Sequence, residues 1–267
     1  MSRLAPVAAC ELPAEADAIH ARSRQSTFNS LTNMVAYETI VRMMPAPTTD
    51  IALDIFTAWI RGWAITREVA PPVAHRDGFR IDVGLPRQAA RYVFPRPSPT
   101  LSELGESLRQ PWVFLKACAT TEELRALLPA PWQMQPDGFM MTCDSTRFSG
   151  SGALAPGYAL HLDDDVVRTR RAHVRVVAPN GDLAASGHIV LTQGRAIYDR
   201  IVTEPAHQRR GLGSALMHAL QGLAHAHGRP SGVLVATPDG RRLYESLGWR
   251  LHAPWATAVI PDDAVAS

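Results

Sequence analysis

The sequence predicts an α+β protein, a mixed β-sheet flanked by helices. Three observations carry this expectation. Arg171–Ala178 and Leu183–Leu191 alternate apolar and polar residues on either side of Asn180-Gly181, a turn dipeptide, and so read as a β-hairpin. Ala196–Thr203 and Gly232–Ala236 are strand-like runs separated by a helix, whose apolar positions Leu212, Leu216, Met217, Leu220, Leu223 and Ala224 follow the 3.6-residue period. Arg241–Leu247 then reads as a short helix ended by Gly248, with Trp249–His252 and Thr257–Ile260 as closing strands. Strands and helices thus alternate in an order that gives a mixed sheet with helices packed against it.

The earlier part of the chain is less regular. Leu12 to about Met44 is Ala-rich with apolar positions at helical spacing, and Pro45 and Pro47 stop it. Asp50 is placed to cap a second helix through Ile51, Leu53, Ile55, Phe56 and Trp59. Phe79–Val83 alternates as a half-buried strand, and Tyr92-Val93-Phe94 is a second short one. Pro95-Arg96-Pro97-Ser98-Pro99 is a stiff, extended tract and the strongest linker signal. A strand over Trp112–Ala119, a helix over Thr121–Leu128 capped by Thr121, and a strand over Phe139–Thr142 follow. Ser149–Gly157 is small and Gly-rich, a loop. Trp59, Trp63, Phe79, Tyr92 and Trp112 read as core.

The chain has 267 residues, 46% of them hydrophobic, and a formal charge of +2. At ~150 residues per domain this suggests one large domain or two modest ones, with enough apolar mass for a core that needs no staple. The boundary is placed near Pro136, giving residues 1–135 and 136–267. A charge so near zero offers little reason to bind nucleic acid or an anionic membrane. No apolar run reaches the ~18 residues of a membrane span. Lys116 is the only lysine among 27 basic residues, a bias read first as base composition. Cys10, Cys118 and Cys143 form no close pair and imply neither a disulfide framework nor a zinc site, which favours a cytoplasmic setting. Val7-Ala8-Ala9-Cys10 resembles a lipoprotein cleavage box, but the Leu4–Ala9 stretch before it, broken by Pro6, falls short of the ~7–15 apolar residues of a signal peptide.

The chemistry concentrates late in the chain. A strand that passes through a glycine-containing turn into a helix leaves backbone amides unpaired at the positive end of the helix dipole, an arrangement suited to phosphate or pyrophosphate. Gly211 and Gly213 permit close approach, and Arg209 and Arg210 add charge. A glycine that merely turns a corner is the other reading of this feature. Gln208-Arg209-Arg210-Gly211-Leu212-Gly213 resembles the pyrophosphate loop of the GNAT N-acetyltransferase superfamily, Q/R-x-x-G-x-G/A. Leu243-Tyr244-Glu245-Ser246-Leu247-Gly248-Trp249 is similar to that family's second signature, a helix with a tyrosine followed by Gly-aromatic. The resemblance runs from about Arg171 to Ile260. Before it lies an α+β extension or a degenerate tandem copy of the same fold.

The resemblance implies acetyl-CoA as acyl donor and a primary amine as acceptor. Residues Gln208, Arg209, Arg210, Gly211, Leu212, Gly213 and Ser214 would hold the pyrophosphate through backbone amides. Ile201, Val202 and Thr203 would pair with the pantetheine arm, in a slot where the strands Ala196–Thr203 and Gly232–Ala236 splay apart. Tyr244 would protonate the departing thiolate. Asp199 would act as general base; strict alternation puts it on one face with Ile201 and Thr203, with Tyr198 opposite. Glu204 is a weaker candidate, and a structural Asp199 paired with Arg200 or Arg175 is the alternative. Many relatives carry an asparagine where this chain has Thr237-Pro238-Asp239, so Thr237 or Asp239 would supply that hydrogen bond.

Other clusters carry less. His225 and His227, two apart on a helix, diverge and cannot share an ion. Asp163-Asp164-Asp165 reads as a solvated turn, and Arg168, Arg170 and Arg171 as an exposed strand face. No metal is expected, and Cys143 lacks a local activating histidine. The expected reaction is direct acetyl transfer to a small-molecule amine. A protein lysine or N-terminal acetyltransferase and a non-catalytic CoA-binding module are the rivals, and a homodimer is left open.

Overall fold

A computed structural model describes residues 51–144, 148–192 and 194–262. The helix expected over Leu12–Met44, its proline stops, the cap at Asp50 and Cys10 lie outside the described residues. The first described helix, α1 (Leu53–Arg67), begins one residue after Ala52, which takes the capping position without a side-chain bond. Phe56, Trp59, Ile60, Trp63 and Ala64 recur at helical spacing and are all buried.

The strands β1 (Val73–His75), β2 (Gly78–Leu85) and β3 (Gln88–Phe94) form an antiparallel meander. The tract Pro95–Pro99 differs from the linker expectation. It leads into a helix absent from the sequence reading, α2 (Pro99–Ser107), with Ser98 at the cap and Pro99 in the first turn, where a missing N–H is harmless. Strand β4 (Val113–Ala117) then pairs parallel with β3. The prolines therefore start a crossover inside one sheet. Helix α3 (Thr121–Arg125) is capped by Thr120 rather than Thr121, through a capping box with Glu123.

Two short strands follow, β5 (Gln133–Met134) and β6 (Gly138–Cys143). After residues 148–157, which form no helix or strand, come β7 (Ala159–Asp165), α4 (Val166–Thr169), β8 (Arg171–Val177) and β9 (Leu183–Leu191). The acidic triplet is thus the end of an exposed strand, not a turn. There Arg175 bonds Asp163 at 3.1 Å and His227 approaches Asp164 at 3.1 Å, while His225 is exposed. Arg168 lies in α4 and Arg170 caps it; only Arg171 belongs to a strand. The chain continues through β10 (Ala196–Thr203), α5 (Leu212–Ala226), β11 (Gly232–Ala236) and α6 (Pro238–Ser246). It ends in β12 (Arg250–Val259), one strand with a bulge between Leu251 and Ala253 where two were expected.

Among the described residues the sheet has twelve strands in the order β1-β2-β3-β4-β12-β6-β11-β10-β9-β8-β7, with β5 beside β12. β6 lies between β11 and β12, and β12 runs on to pair with β4 and β5, so residues on both sides of Pro136 share it. Helix α5 covers one face of the later strands, and α1 crosses the other. A Cβ at Gly62 would stand 2.4 Å from Ile197 Cγ1, so α1 rests almost backbone-on-side-chain against β10. Trp59 meets Trp255 edge-on at 4.7 Å. Trp59, Trp63, Phe79 and Tyr92 are core as expected, whereas Trp112 is half-buried and donates its indole N–H to Asp262. No described helix is long and apolar enough to cross a membrane.

Candidate active site

Parallel strands β10 and β11 pair only at Ala196–Gly232 and Ile197–Val233, then separate. The divergence opens a slot that leads into a cavity of about 1000 Å³. A bulge in β10 shapes one wall. Its register with β9 shifts between Asp199 and Val202, and Arg200 takes a left-handed φ of 53°. The extra residue overturns the expected alternation. Ile201 turns toward α5, into space that a side chain at Gly187 would fill, since a Cβ there would meet Ile201 at 2.6 Å. Thr203 lies near Gly213 on that same α5 side. Asp199 instead faces α1.

Across the mouth, Arg209 and Gly211 both adopt positive φ, 62° and 74°, bending the chain into the start of α5. Ala215 N–H is taken up by the Gly211 carbonyl, so the amides of 212–214 are not satisfied within the helix. Gly213 admits the approach of α6, because a Cβ there would lie 3.0 Å from Leu243. Gln208 Nε2 donates to the Thr203 carbonyl at 3.3 Å, and Ser214 Oγ donates to the Ser151 carbonyl at 2.7 Å. Every residue named for the site from sequence lines this cavity except Val202, Arg210 and the weaker base candidate Glu204. Val202 is 46% exposed and belongs to the outer side of the bulge.

Thr237 caps α6 by accepting the Gly240 amide at 3.1 Å, which leaves its hydroxyl proton available to a ligand. Asp239 pairs with Arg242 at 2.5 Å. Tyr244 is buried against Trp249. Burial, with a smaller contribution from the negative charge of Asp199, holds its phenol far above the ordinary tyrosine range, so it stays protonated throughout the physiological range.

Asp199 is held by a group the sequence reading did not foresee. Arg67 Nε reaches Oδ2 at 3.0 Å and Nη2 reaches Oδ1 at 3.3 Å, while Thr66 Oγ1 stands 2.6 Å from Oδ2. Its partner is thus Arg67, neither Arg200 nor Arg175. Beside it on the sheet, His188 pairs in register with Asp199 and stacks on His173 at 4.1 Å. Burial, then the neighbouring His173 and Arg200 charges, lower His188 to about 4, so its imidazole is neutral at pH 7. Farther along this face, Arg91 lies over the Trp63 ring, with Cζ 4.0 Å from its centroid, and Lys116 Nζ donates to Thr257 Oγ1 at 2.9 Å. Among the described residues no group of His, Cys, Asp or Glu is arranged to hold a metal ion.

The sequence of residues 170–251 matches the family model described as an acetyltransferase (GNAT) domain. Residues 170–251 form a GNAT domain. The match spans β8 to the start of β12 and so contains the slot, the loop at Gln208–Ser214 and Tyr244. Arg67, Arg91 and Lys116 lie outside it. Among solved structures, a GCN5-related N-acetyltransferase from Kribbella flavida is similar over 82% of this chain and 99% of its own, at 14% identity and a TM-score of 0.58. A GCN5-related N-acetyltransferase from Sphaerobacter thermophilus covers 79% of this chain and 93% of its own, at 11% identity and 0.51. These likenesses establish a shared fold around the GNAT domain. Among curated proteins, nothing matches.

Proposed function

We propose that this chain transfers an acetyl group from acetyl-CoA to a primary amine of a small-molecule acceptor. The observation that carries this reading is the slot between β10 and β11, with unsatisfied helix-end amides at one end and a protonated buried phenol in its wall. The amides of residues 209–214 suit a pyrophosphate, helped by the α5 dipole and the left-handed turn at Gly211. The unpaired edge of β10 around Ile201 and Thr203 suits the amides of a pantetheine arm, as an added strand would. Acetyl-CoA supplies the thioester.

Tyr244 gives its proton to the departing sulfur, and Asp199 takes up the proton that the acceptor nitrogen sheds as its bond to the acyl carbon forms. Arg67 and Thr66 keep the Asp199 carboxylate in one orientation, which limits the geometric search at each turnover. Within residues 51–135, α1, β3 and β4 bring side chains to the α1 face, where Asp199 points, and so cover the acceptor side.

Calorimetry with acetyl-CoA and a thiol-release assay over a panel of amines test this reading together. Binding accompanied by amine-dependent thiol release supports it. Binding without release from any amine points to a CoA-binding module without turnover, and absence of binding at millimolar acetyl-CoA removes the proposal.

A further inference from the structure

The face of the sheet beneath α1 carries more positive charge than the fold can use. Arg67, Arg91 and Lys116 follow one another there, linked through two rings: Arg67 and Arg91 both lie over Trp63, at 5.4 and 4.0 Å, and Arg91 and Lys116 both lie near Phe114, at 5.6 and 5.5 Å. The register places them on one side. Arg91 is level with Phe114 on neighbouring strands, and Lys116 is level with Thr257. Asp199 is the carboxylate bound to this row, and Arg67 occupies both of its oxygens.

No carboxylate is bonded to the remaining two cations, which the Trp63 and Phe114 rings and, for Arg91, the more distant charge of Asp199 offset only in part. Arg91 donates one bond, from Nη2 to Gln88, and its buried Nε has no hydrogen-bond partner. Lys116 has the Thr257 hydroxyl, while burial and the Arg91 and Arg67 charges all press its ammonium toward the neutral form. Unpaired cations taken out of water are costly, and apolar side chains of the same size would hold these strands together at less expense. The identity of Lys116 sharpens the point. The other 26 of the 27 Lys and Arg residues are arginine, so the one compact ammonium of the chain stands in this row.

The location supplies the reason. Residues on the α5 side of the slot suit the acyl donor, whereas Asp199 projects through to the α1 side, where this row begins. We propose that the acceptor is an amine that also bears an anionic group, carboxylate or phosphate, with the amine set against Asp199 and the anion received by Arg91 and Lys116. This rests on the acetyl-transfer reading above and narrows its acceptor. The three cations come from outside the family-matched segment, where an acceptor preference particular to this chain would be built.

Two measurements on the full chain test it. The first compares thiol release, in the presence of acetyl-CoA, for acceptors that share an amine and differ in the anion: amino acids against their decarboxylated amines, and phosphoethanolamine against ethanolamine. The expected result is at least a tenfold higher kcat/KM for the anionic member of some pair, lost in Lys116→Met chiefly through KM and partly restored in Lys116→Arg. The second follows thermal unfolding with N-acetyl amino acids, or with inorganic phosphate, and no acetyl-CoA. A raised midpoint in the native protein that disappears in Lys116→Met supports the anion site; if that variant does not fold, Arg91→Gln takes its place. Equal turnover of charged and neutral members overturns the proposal and leaves the acetyltransferase standing. Stabilisation by anions without turnover of any amine keeps the anion site and overturns the acetyl-transfer reading. Neither stabilisation nor preference overturns the proposal outright.

Discussion

Arg67 grips Asp199 with two nitrogens across 132 positions of sequence, so the carboxylate beside the slot is set by a helix outside the GNAT domain. Both side chains are largely shielded, at 30% and 16% exposure, which makes this pair more than a surface contact. Arg67→Ala should destabilise the fold by about 1–3 kcal/mol, since a part-buried carboxylate loses its charged partner. Under the proposed function it should also raise KM for the amine more than it changes the Kd of acetyl-CoA. Urea unfolding and steady-state kinetics read the two effects separately, and a variant of native stability would refute the structural half.

Tyr244→Phe removes one oxygen and keeps the ring against Trp249. If the phenol protonates the leaving sulfur, kcat should fall by about 10²–10⁴-fold while acetyl-CoA binding holds. Stability carries an independent signature. The folded phenol titrates far above the ordinary tyrosine value of about 10. Its contribution is therefore complete below that value and is lost as pH rises past it, because only the unfolded chain releases the proton there. The Tm of the native protein should drop more steeply above about pH 10 than that of Tyr244→Phe. Parallel Tm curves would contradict the burial of the hydroxyl.

The later half of the fold was legible because its signals are local. The Asn180-Gly181 turn, the period of α5 and the limits of β10 at Ala196 and Thr203 all stand as read. The bulge at Arg200 was not legible: alternation presumes one residue per pleat, and nothing in Asp199-Arg200-Ile201 announces an extra one. That single insertion moves Asp199 to the opposite face from Ile201. Arg67, Arg91 and Lys116 were hidden for a different reason, since three distant segments meet only through the register of β3, β4 and β12 and the crossing of α1. One signal was present in the solitary lysine, although read alone it resembled base composition. The Pro95–Pro99 tract misled because proline stiffens a linker and starts a helix equally well, and only the parallel pairing of β3 with β4 decides between them.

His188 should shape the acid side of the stability curve. Its folded value, about 4, lies below the ordinary histidine value of about 6.5. The unfolded chain therefore binds a proton first as pH falls, and stability that is full above about 6.5 declines toward pH 4. His188→Gln should flatten the decline in Tm over that window. The stacked neighbour His173, also lowered by burial, adds a second contribution of the same sign, so the double variant should be flatter still. An unchanged slope in both variants would show that these rings do not titrate as placed.

Gly62 offers the strictest test of how α1 is seated. A methyl there would fall 2.4 Å from Ile197 Cγ1 and 2.7 Å from its Cβ, and the Ile197 side chain is itself wholly buried with no route of retreat. Helix propensity alone favours alanine over glycine by about 1 kcal/mol. The clash opposes that gain and should exceed it, for a net loss of about 1–3 kcal/mol as the helix is pushed from β10. Because Thr66 and Arg67 ride on the same helix, the displacement should loosen Asp199 as well. Gly62→Ala would then weaken amine turnover without touching any residue of the slot. Gly222→Ala on α5, where nothing lies within 4 Å of the added carbon, is the control and should be neutral or mildly stabilising. Denaturant melts of the two variants, run side by side, separate close seating from propensity; a stabilised Gly62→Ala would mean that α1 does not rest against Ile197.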